Sequence, residues 1–338
     1  KNAFNDSQYE SITFDKDSEV EIFKSDSFLG SRIDNLEIPS NLKKIKGGSF
    51  FQTKISNFEI SPKNKFFSYV EGKYLVGKSD KNLEKFDQLI YSKFDLREAV
   101  IPSYIKVLKE HAFNISLNTL IFPNDTEIES IEYGSLSEYL TDLRIPKTLK
   151  KIDQSCFQLT ERLVNIEISP ENKEFLYIDN KYLLKKRKCE NFSVFSKIAF
   201  CRRDVVDVKI PSYITKIADN AFSKCEKMRS IIFEPNSKLE IIDTDAFSWS
   251  LGPTTLIIPE SVKRVCGSAF VRMRNIAFVE FLGDKLHLDH GIFHLCHNLK
   301  VISLPNATKV VFRKTVDDNA VVFIKSNAKI KGDIFIGK

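Results

Sequence analysis

The sequence predicts an α/β solenoid of about 12 short repeats, mainly strands with few helical turns, and three observations predict it. Ten of the eleven prolines fall at one point of a unit about 23 residues long. Before each proline, apolar and polar residues alternate as in a half-buried strand. In seven units an aliphatic residue is followed five positions later by Phe. A unit this small cannot bury its own apolar face, so neighbouring units must stack.

The stretch from Val205 to Phe222 contains one complete unit. Alternating apolar residues predict a strand, which Pro211 ends because proline cannot donate a backbone hydrogen bond. A second apolar pair follows at Ile214 and Ile217, and Ala221-Phe222 closes the unit. We therefore expect the closing Phe of successive units to fill the same internal slot.

The remaining elements follow in chain order. Residues 1–28 form a ragged first repeat. Segments 63–95 and 171–204 each carry two alternating apolar runs about a turn, which predicts a β-hairpin insertion in each. Pro170 lies 108 residues after Pro62, so a longer duplication includes the hairpins. Simple repeats then run to Pro305, and residues 307–338 alternate as in a β-rich C-terminal cap. We predict one domain over residues 1–338.

Charge and hydropathy exclude two classes of partner. The net charge of +6 is spread along the chain, and the longest basic run is Lys185–Lys188. A run this short is typical of a solvated loop, so we predict no nucleic-acid partner. No stretch approaches the ~20 consecutive apolar residues that span a bilayer, which predicts no membrane-spanning segment in this chain.

The six cysteines lack CxxC spacing. Cys225 and Cys296 fall three residues after the closing Phe of their repeats, and Cys156 and Cys266 lie just before theirs. This pattern is typical of small buried hydrophobic residues, so we expect reduced thiols and neither a disulfide framework nor a zinc site. Five N-glycosylation sequons are compatible with glycosylation and also with chance in a chain rich in Asn, Ser and Thr.

No pattern of catalytic or cofactor-binding residues stands out. His290 and His294 have i, i+4 spacing, but they flank Phe293 at the closing slot of a repeat, and no HExxH motif accompanies them. GxSxG, GxGxxG and phosphate-loop motifs are absent. We therefore predict no enzyme activity, no cofactor and no metal.

Units of the form L-x-I-P-x-x-L-x-x-I-x-x-x-A-F, as in Leu256–Phe270, resemble the BspA-type leucine-rich repeat, also called the Treponema pallidum type. The resemblance covers about residues 10–305, with departures at Ser49, Ser135-Leu136 and Ile292. It implies a leucine-rich-repeat solenoid. It also implies a surface or secreted protein of a bacterium or protist that serves adhesion or host-protein binding and has no catalytic residues.

The outward strand positions predict a binding surface in the C-terminal half. Equivalent positions in the N-terminal half are mostly acidic or amide residues. In the C-terminal half they form a largely apolar set, with one carboxylate: Ile232, Ile257, Phe278, Glu280 and Val301. Apolar residues beside polar ones are typical of a protein-binding patch. The alternative is that loops or the C-terminal cap cover these side chains.

A second set of residues predicts a basic edge. Its members follow the proline of their units: Lys44, Lys106, Lys151, Lys216 and Arg264. Stacked on one side of the solenoid, they would attract an acidic partner such as a sulfated glycan, an anionic lipid or an acidic protein. The alternative is that these cations keep an exposed edge soluble and unpaired.

Two functions remain open from the sequence. The first is a cell-surface or secreted module that binds a host or extracellular-matrix protein, as the resemblance implies. The second is a cytoplasmic scaffold or cytoskeleton-associated component of a larger assembly, which free cysteines favour.

Overall fold

The computed structural model describes residues 3–113, 117–188, 193–307, 309–312, 321–324 and 329–331. It confirms a β-solenoid of short strands, and the described residues contain one 3₁₀ helix, Gln154–Gln158. Chain contacts divide the protein into two compact units, Lys1–Asn172 and Lys173–Lys338. That residues 1–338 form a single domain stays a prediction.

The first unit contains fifteen described strands: β1 (Gln8–Ile12), β2 (Ile22–Phe23), β3 (Arg32–Ile38), β4 (Lys44–Ile45), β5 (Lys54–Ile60), β6 (Phe67–Val70), β7 (Tyr74–Gly77), β8 (Gln88–Ser92), β9 (Glu98–Val100), β10 (Val107–Leu108), β11 (Thr119–Ile121), β12 (Ser130–Ile131), β13 (Asp142–Ile145), β14 (Lys151–Ile152) and β15 (Asn165–Ile168). The second unit contains fifteen more: β16 (Phe175–Ile178), β17 (Tyr182–Lys188), β18 (Ser193–Cys201), β19 (Asp207–Ile210), β20 (Lys216–Ile217), β21 (Ser230–Phe233), β22 (Ile241–Ile242), β23 (Thr255–Ile258), β24 (Arg264–Val265), β25 (Phe278–Phe281), β26 (Lys285–Leu288), β27 (Val301–Leu304), β28 (Lys309–Phe312), β29 (Val321–Ile324) and β30 (Lys329–Lys331).

Each simple repeat contributes one strand to each of two parallel ladders. In the second unit, the strands around the proline positions pair as β19–β21 and as β23–β25–β27–β29. The strands of the second set pair as β18–β20–β22–β24–β26–β28–β30, and three of them, β20, β22 and β24, are only two residues long. The first unit repeats the arrangement with β1–β3–β5, β9–β11 and β13–β15 in one set and β8–β10–β12–β14 in the other. We call the outward side of the first set the strand face.

The closing Phe residues form a stacked spine in the core. Phe222, Phe247, Phe270 and Phe293 are buried, with successive ring centroids 4.8, 5.4 and 5.3 Å apart and ring planes within 13° of parallel. Stacked aromatic rings add packing energy to the burial of their area. The closing Phe residues therefore fill the same internal position, as the sequence predicted. In the first unit, the buried Leu136 takes the place of one Phe, as the sequence indicated.

Tight corners replace helices on either side of this spine. Asn220 and Lys224, Asp245 and Trp249, and Ser268 and Arg272 each form a pair of left-handed residues four positions apart. Left-handed backbone interrupts a right-handed helix. Backbone amides in the corners instead donate to the next repeat, as from Phe222 N to Ala246 O at 2.7 Å.

Both predicted hairpins are present, and each has a third strand. Strands β6 and β7 pair antiparallel, as do β16 and β17. Strands β8 and β18 continue each hairpin antiparallel and then join the parallel ladder through β10 and β20. Each insertion is therefore anchored in the solenoid by its last strand.

The two ends of the chain also contain strands where the structure describes them. Residues 1–28 contribute β1 and β2. Within residues 307–338, strands β28, β29 and β30 extend the two ladders in parallel register. The other residues of this predicted cap, including 334–336, lie outside the described residues, and the cap stays a prediction.

Candidate functional site

The strand face of the second unit carries exposed aliphatic side chains. Ile232 is 57% exposed and Ile257 is 50% exposed, whereas Phe278, Glu280 and Val301 are half-buried. Period-two alternation places all five on the outward side, since their immediate neighbours in each strand point to the core. Loops therefore leave Ile232 and Ile257 open to solvent.

The strand register arranges four members of the predicted patch, Ile257, Phe278, Glu280 and Val301, in two columns. In one column Thr255 pairs with Phe278, and Phe278 pairs with Val301. In the other, Ile257 pairs with Glu280, and the column continues through Ser303 to Phe323. Phe278 and Ile257 are thus diagonal neighbours, close enough for one partner to contact both.

A groove lies on the strand face between β21 and β23. These two strands belong to different sheets, and the gap between them holds about 470 Å³. Ile232, Ile257 and Pro235 are among its apolar lining residues, and Glu234 and Glu260 are among its charged ones. We call this feature the strand-face groove. An apolar cleft with a few polar groups is a common form of binding site.

The charges around the groove are mainly acidic. Glu234 accepts a hydrogen bond from Ser212 N at 3.0 Å and pairs with Lys209 Nζ at 3.0 Å. These two contacts hold the pKa of the Glu234 carboxyl below its usual value. Glu260 is exposed at the groove, and Glu280 stands beside Ile257. Lys209 already neutralises Glu234, so Glu260 and Glu280 are the carboxylates that complement a partner presenting apolar side chains next to Lys or Arg.

The strand face also holds apolar residues that sequence reasoning did not select. Phe323, 59% exposed, extends the column of Ile257, but its alternating segment was interpreted as a cap. In the first unit Val100 pairs with Ile121, and they are 47% and 39% exposed. All three residues lie at outward positions of an alternating strand, and that alternation in the sequence could have identified them.

The predicted basic edge is partly neutralised by neighbouring carboxylates. Lys216 Nζ lies 2.5 Å from Asp243 Oδ2, and Arg264 donates to Asp289 Oδ2 at 2.8 Å. Lys106 lies 3.7 Å from Glu127. Val107, the residue after it, shares a ladder position with Ser130 and Lys151, so Lys106 is offset from Lys151 by one residue. The remaining members, Lys44 and Lys151, are exposed.

A network of carboxylates and lysines lies beside this edge. Burial and the neighbouring Asp243 carboxylate raise the pKa of Asp219 to about 6. Lys216 lowers the pKa of Asp243 despite its burial. Burial, followed by the charges of Lys216 and Lys185, lowers the pKa of Lys197 to about 8. The two aspartates can therefore share a proton below neutral pH.

The histidine cluster shows no metal-binding geometry. His287 Nε2 lies 2.9 Å from Asp289 Oδ1. Within the described ranges, no three His, Cys, Asp or Glu side chains come together as metal ligands would. Helices long and apolar enough to cross a membrane are likewise absent from the part of the chain that the structure describes.

Solved structures of the same architecture resemble this chain. The pneumococcal vaccine antigen PcpA is 15% identical, with a TM-score of 0.52 over 99% of this chain and 91% of PcpA. A leucine-rich cell surface protein of Faecalibacterium prausnitzii A2-165 is 15% identical, with a TM-score of 0.52 over 97% of this chain and 88% of its own. At this identity the likeness demonstrates the fold alone. A comparison with curated proteins gives no match.

The sequence comparison with protein families agrees with the structure. The BspA type leucine rich repeat region matches in six copies, over residues 1–73, 84–198 and 193–319. These matches cover most of the chain, and the repeats they define are the strand and spine units described above. The chain belongs to the BspA-type leucine-rich repeat family.

Proposed function

We propose that this protein is a non-catalytic binding module that works at a cell surface or after secretion and adheres to a host or extracellular-matrix protein. Its proposed binding surface is the strand-face groove with the adjoining Phe278, Glu280 and Val301. Leucine-rich repeats of this family support a role in protein interaction. The names of the two similar structures, a vaccine antigen and a cell surface protein, support the surface location.

The exposure of Ile232 and Ile257 is the observation that carries the proposal. In the same strand register, Lys209 pairs with Ile232 and Glu280 pairs with Ile257, so folding tolerates charged residues at this position. The two isoleucines are therefore not required by the core. Aliphatic anchors that a partner desolvates are a frequent source of interface energy, with a central anchor worth about 2 kcal/mol or more.

The test is to select ligands from a displayed library of random peptides on the immobilised full chain. We expect enriched peptides that combine apolar residues with Lys or Arg, matching the apolar groove and its glutamates. Ile232→Ser/Ile257→Ser should then lower the affinity of the selected peptide at least tenfold, or about 1.4 kcal/mol. Extracellular-matrix proteins that bind the immobilised wild-type chain should bind this variant with the same loss of affinity.

Val100→Ser/Ile121→Ser is the matched control, because it removes a comparable exposed pair from the strand face of the first unit. It should leave the affinity unchanged. Equal binding by the wild type and the Ile232→Ser/Ile257→Ser variant would refute the proposed surface. Thermal unfolding of that variant well below the wild type would instead mean that the isoleucines belong to the core.

A second candidate function is a scaffold inside the cell. The observation that favours it is that five described cysteines are buried and form no disulfide in the structure: Cys156, Cys201, Cys225, Cys266 and Cys296. Cys189 lies outside the described residues. Labelling intact producing cells with a membrane-impermeant biotin ester separates the two candidates, since only a surface protein is labelled.

A further inference from the structure

Two buried cysteines of the second unit approach the same backbone carbonyl oxygen. Cys201 is the last residue of β18, and Cys225 lies three residues after the spine residue Phe222. Both are completely buried, and each thiol affects the pKa of the other. Both sulfur atoms also approach the carbonyl oxygen of Arg202, at 3.6 and 3.9 Å. The two side chains thus meet in one small buried space.

The repeat pattern explains why this contact forms here. In other repeats, the side chain three residues after the spine Phe donates to the carbonyl oxygen of the preceding spine residue. Thr53 donates to Phe28 O at 2.6 Å, Ser250 to Phe222 O at 2.6 Å, and Cys296 to Phe270 O at 3.0 Å. Before Cys225 the repeat is interrupted by the hairpin. Cys225 therefore approaches Arg202 O, the carbonyl next to Cys201, in place of a spine carbonyl.

A buried guanidinium group lies beside the pair. Arg203 is buried, donates to Ala221 O at 3.1 Å and to Asn220 O at 3.3 Å, and packs over the Phe200 ring at 4.6 Å. The hydrogen bond from Cys201 and the charge of Arg203 outweigh burial and lower the pKa of Cys225. Burial raises the pKa of Cys201.

We propose that Cys201 and Cys225 form a disulfide bond when the chain meets a small disulfide oxidant such as oxidised glutathione. During folding, the thiolate of one of the two cysteines attacks one sulfur of the oxidant, forms a mixed disulfide and releases one glutathione. The thiolate of the other cysteine then attacks the protein sulfur of that mixed disulfide and releases the second glutathione. Two protein thiols are oxidised, one disulfide is reduced, and the two thiol protons end on the two glutathione molecules.

The bond would fasten the third hairpin strand, β18, to the repeat that follows it. Crosslinking residues 201 and 225 restricts the unfolded chain and so favours the folded one. The first unit has no such crosslink, because Ser92 occupies the position of Cys201 there. Ser92 is buried and donates from its amide to Ala112 O at 2.7 Å, as Cys201 does to Ala221 O at 2.8 Å. The chain therefore already contains serine in this environment.

The experiment refolds the reduced full chain in a buffer of reduced and oxidised glutathione, because both thiols are buried once the protein has folded. Free thiols are then alkylated, and the protein is digested without reduction for mass spectrometry. We expect a single crosslinked peptide pair containing Cys201 and Cys225, lighter by two hydrogens, and alkylation of the other four of the six cysteines. The unfolding temperature should rise by roughly 5 °C on oxidation, and dithiothreitol should reverse the rise.

Two serine variants make the test specific. Cys201→Ser should abolish both the crosslinked peptide and the rise in unfolding temperature. Cys296→Ser, at the position equivalent to Cys225 but hydrogen-bonded to a carbonyl, should retain both. The proposal is overturned if all six cysteines of the refolded wild type are alkylated, or if the bond found joins other cysteines. It is also overturned if Cys201→Ser gains the same stability on oxidation.

Discussion

Neighbouring residues of one strand have opposite roles in this protein. Ile231 is buried in the core, whereas Ile232, the next residue, is exposed on the strand face. The side chains are identical, so composition does not distinguish them. The alternation of the strand does, because successive side chains point to opposite sides. For a charged residue, the free-energy cost of burial depends on the charges and hydrogen-bonding groups around it.

Asp219 is the clearest such case, and it predicts a dependence of stability on pH. Burial and Asp243 raise the pKa of Asp219 from 3.8 to about 6, while Lys216 and Lys197 oppose the shift. The folded state therefore favours the protonated carboxyl. This contribution to stability is complete below pH 3.8 and is lost as the pH rises to about 6. The pKa of Asp243 is lowered instead, so its contribution to stability is lost only as the pH falls through that lowered pKa.

Asp219→Asn should remove most of that dependence, because the amide has no charge to bury. Between pH 4 and 6.5 the wild type should lose roughly 1–2 kcal/mol of unfolding free energy more than the variant, a figure reduced for partial exposure. Urea unfolding at a series of pH values measures the difference. Glu260→Gln, an exposed carboxylate on the strand face, is the control. Parallel pH profiles for wild type and Asp219→Asn would contradict the assignment.

For the strands, the sequence predicted the features that depend on which side chains are buried. It did not predict the features that depend on which strands are hydrogen-bonded to each other. Regular spacing located the Phe spine and both hairpins. It did not indicate that β8 and β18 would add a third strand, because a period of two reports which side is buried and not which strand is the partner. It also missed the strand-face groove, which results from a break between two sheets. Ile232 and Ile257 were predictable from phase, whereas the groove between them was not.

The tight corners were not predicted from the sequence for a related reason. Left-handed positions are expected at glycine, yet this chain places Asn220, Lys224, Trp249 and Arg272 there. Backbone hydrogen bonds to the next repeat hold these residues in place, as from Lys224 N to Ser248 O at 2.8 Å. The stacking of repeats thus overrides the local preference of the residue, and a single repeat contains no sign of it.

Gly134 provides a test of such a corner in the first unit. Its φ is +66°, and a Cβ atom at this position would overlap His111 Nδ1. His111 contacts the rings of Phe51 and Tyr133, with centroids 4.0 and 4.9 Å away, so displacing the imidazole disturbs both ring contacts. Gly134→Ala should therefore lower the unfolding free energy by about 2–3 kcal/mol, from backbone strain and from displacement of the imidazole.

Gly72→Ala separates those two causes. Gly72 has a similar φ of +61°, but no atom lies within 4 Å of its added Cβ. Strain alone should cost about 1 kcal/mol there. Chemical denaturation of both variants measures the difference, and equal losses would mean that the contact with His111 contributes nothing.

For the whole molecule, the distribution of charge matters more than its sum. The net charge is +6, but many cations pair with a carboxylate one repeat away. Lys109 pairs with Glu132 at 2.7 Å, Lys150 with Glu129 at 2.9 Å, and Lys263 with Glu240 at 2.6 Å. Exposed pairs of this kind add little stability each, about 0–1 kcal/mol. Their effect is to divide the positive charge into neutral pairs and reduce the field that an acidic partner would meet.

This pairing predicts that binding through the strand-face groove depends only weakly on salt. The apolar contacts of Ile232 and Ile257 are not screened by ions, and only the glutamates around them respond to ionic strength. We expect the affinity of a library-selected peptide to fall less than tenfold between about 50 mM and 500 mM NaCl, with no displacement by heparin. Fluorescence polarisation measures both, and Lys44→Ala/Lys151→Ala should bind like the wild type. A steeper loss with salt, together with displacement by heparin and weaker binding of that lysine variant, would move the interface to the basic edge, since polyanion binding depends on unpaired cations.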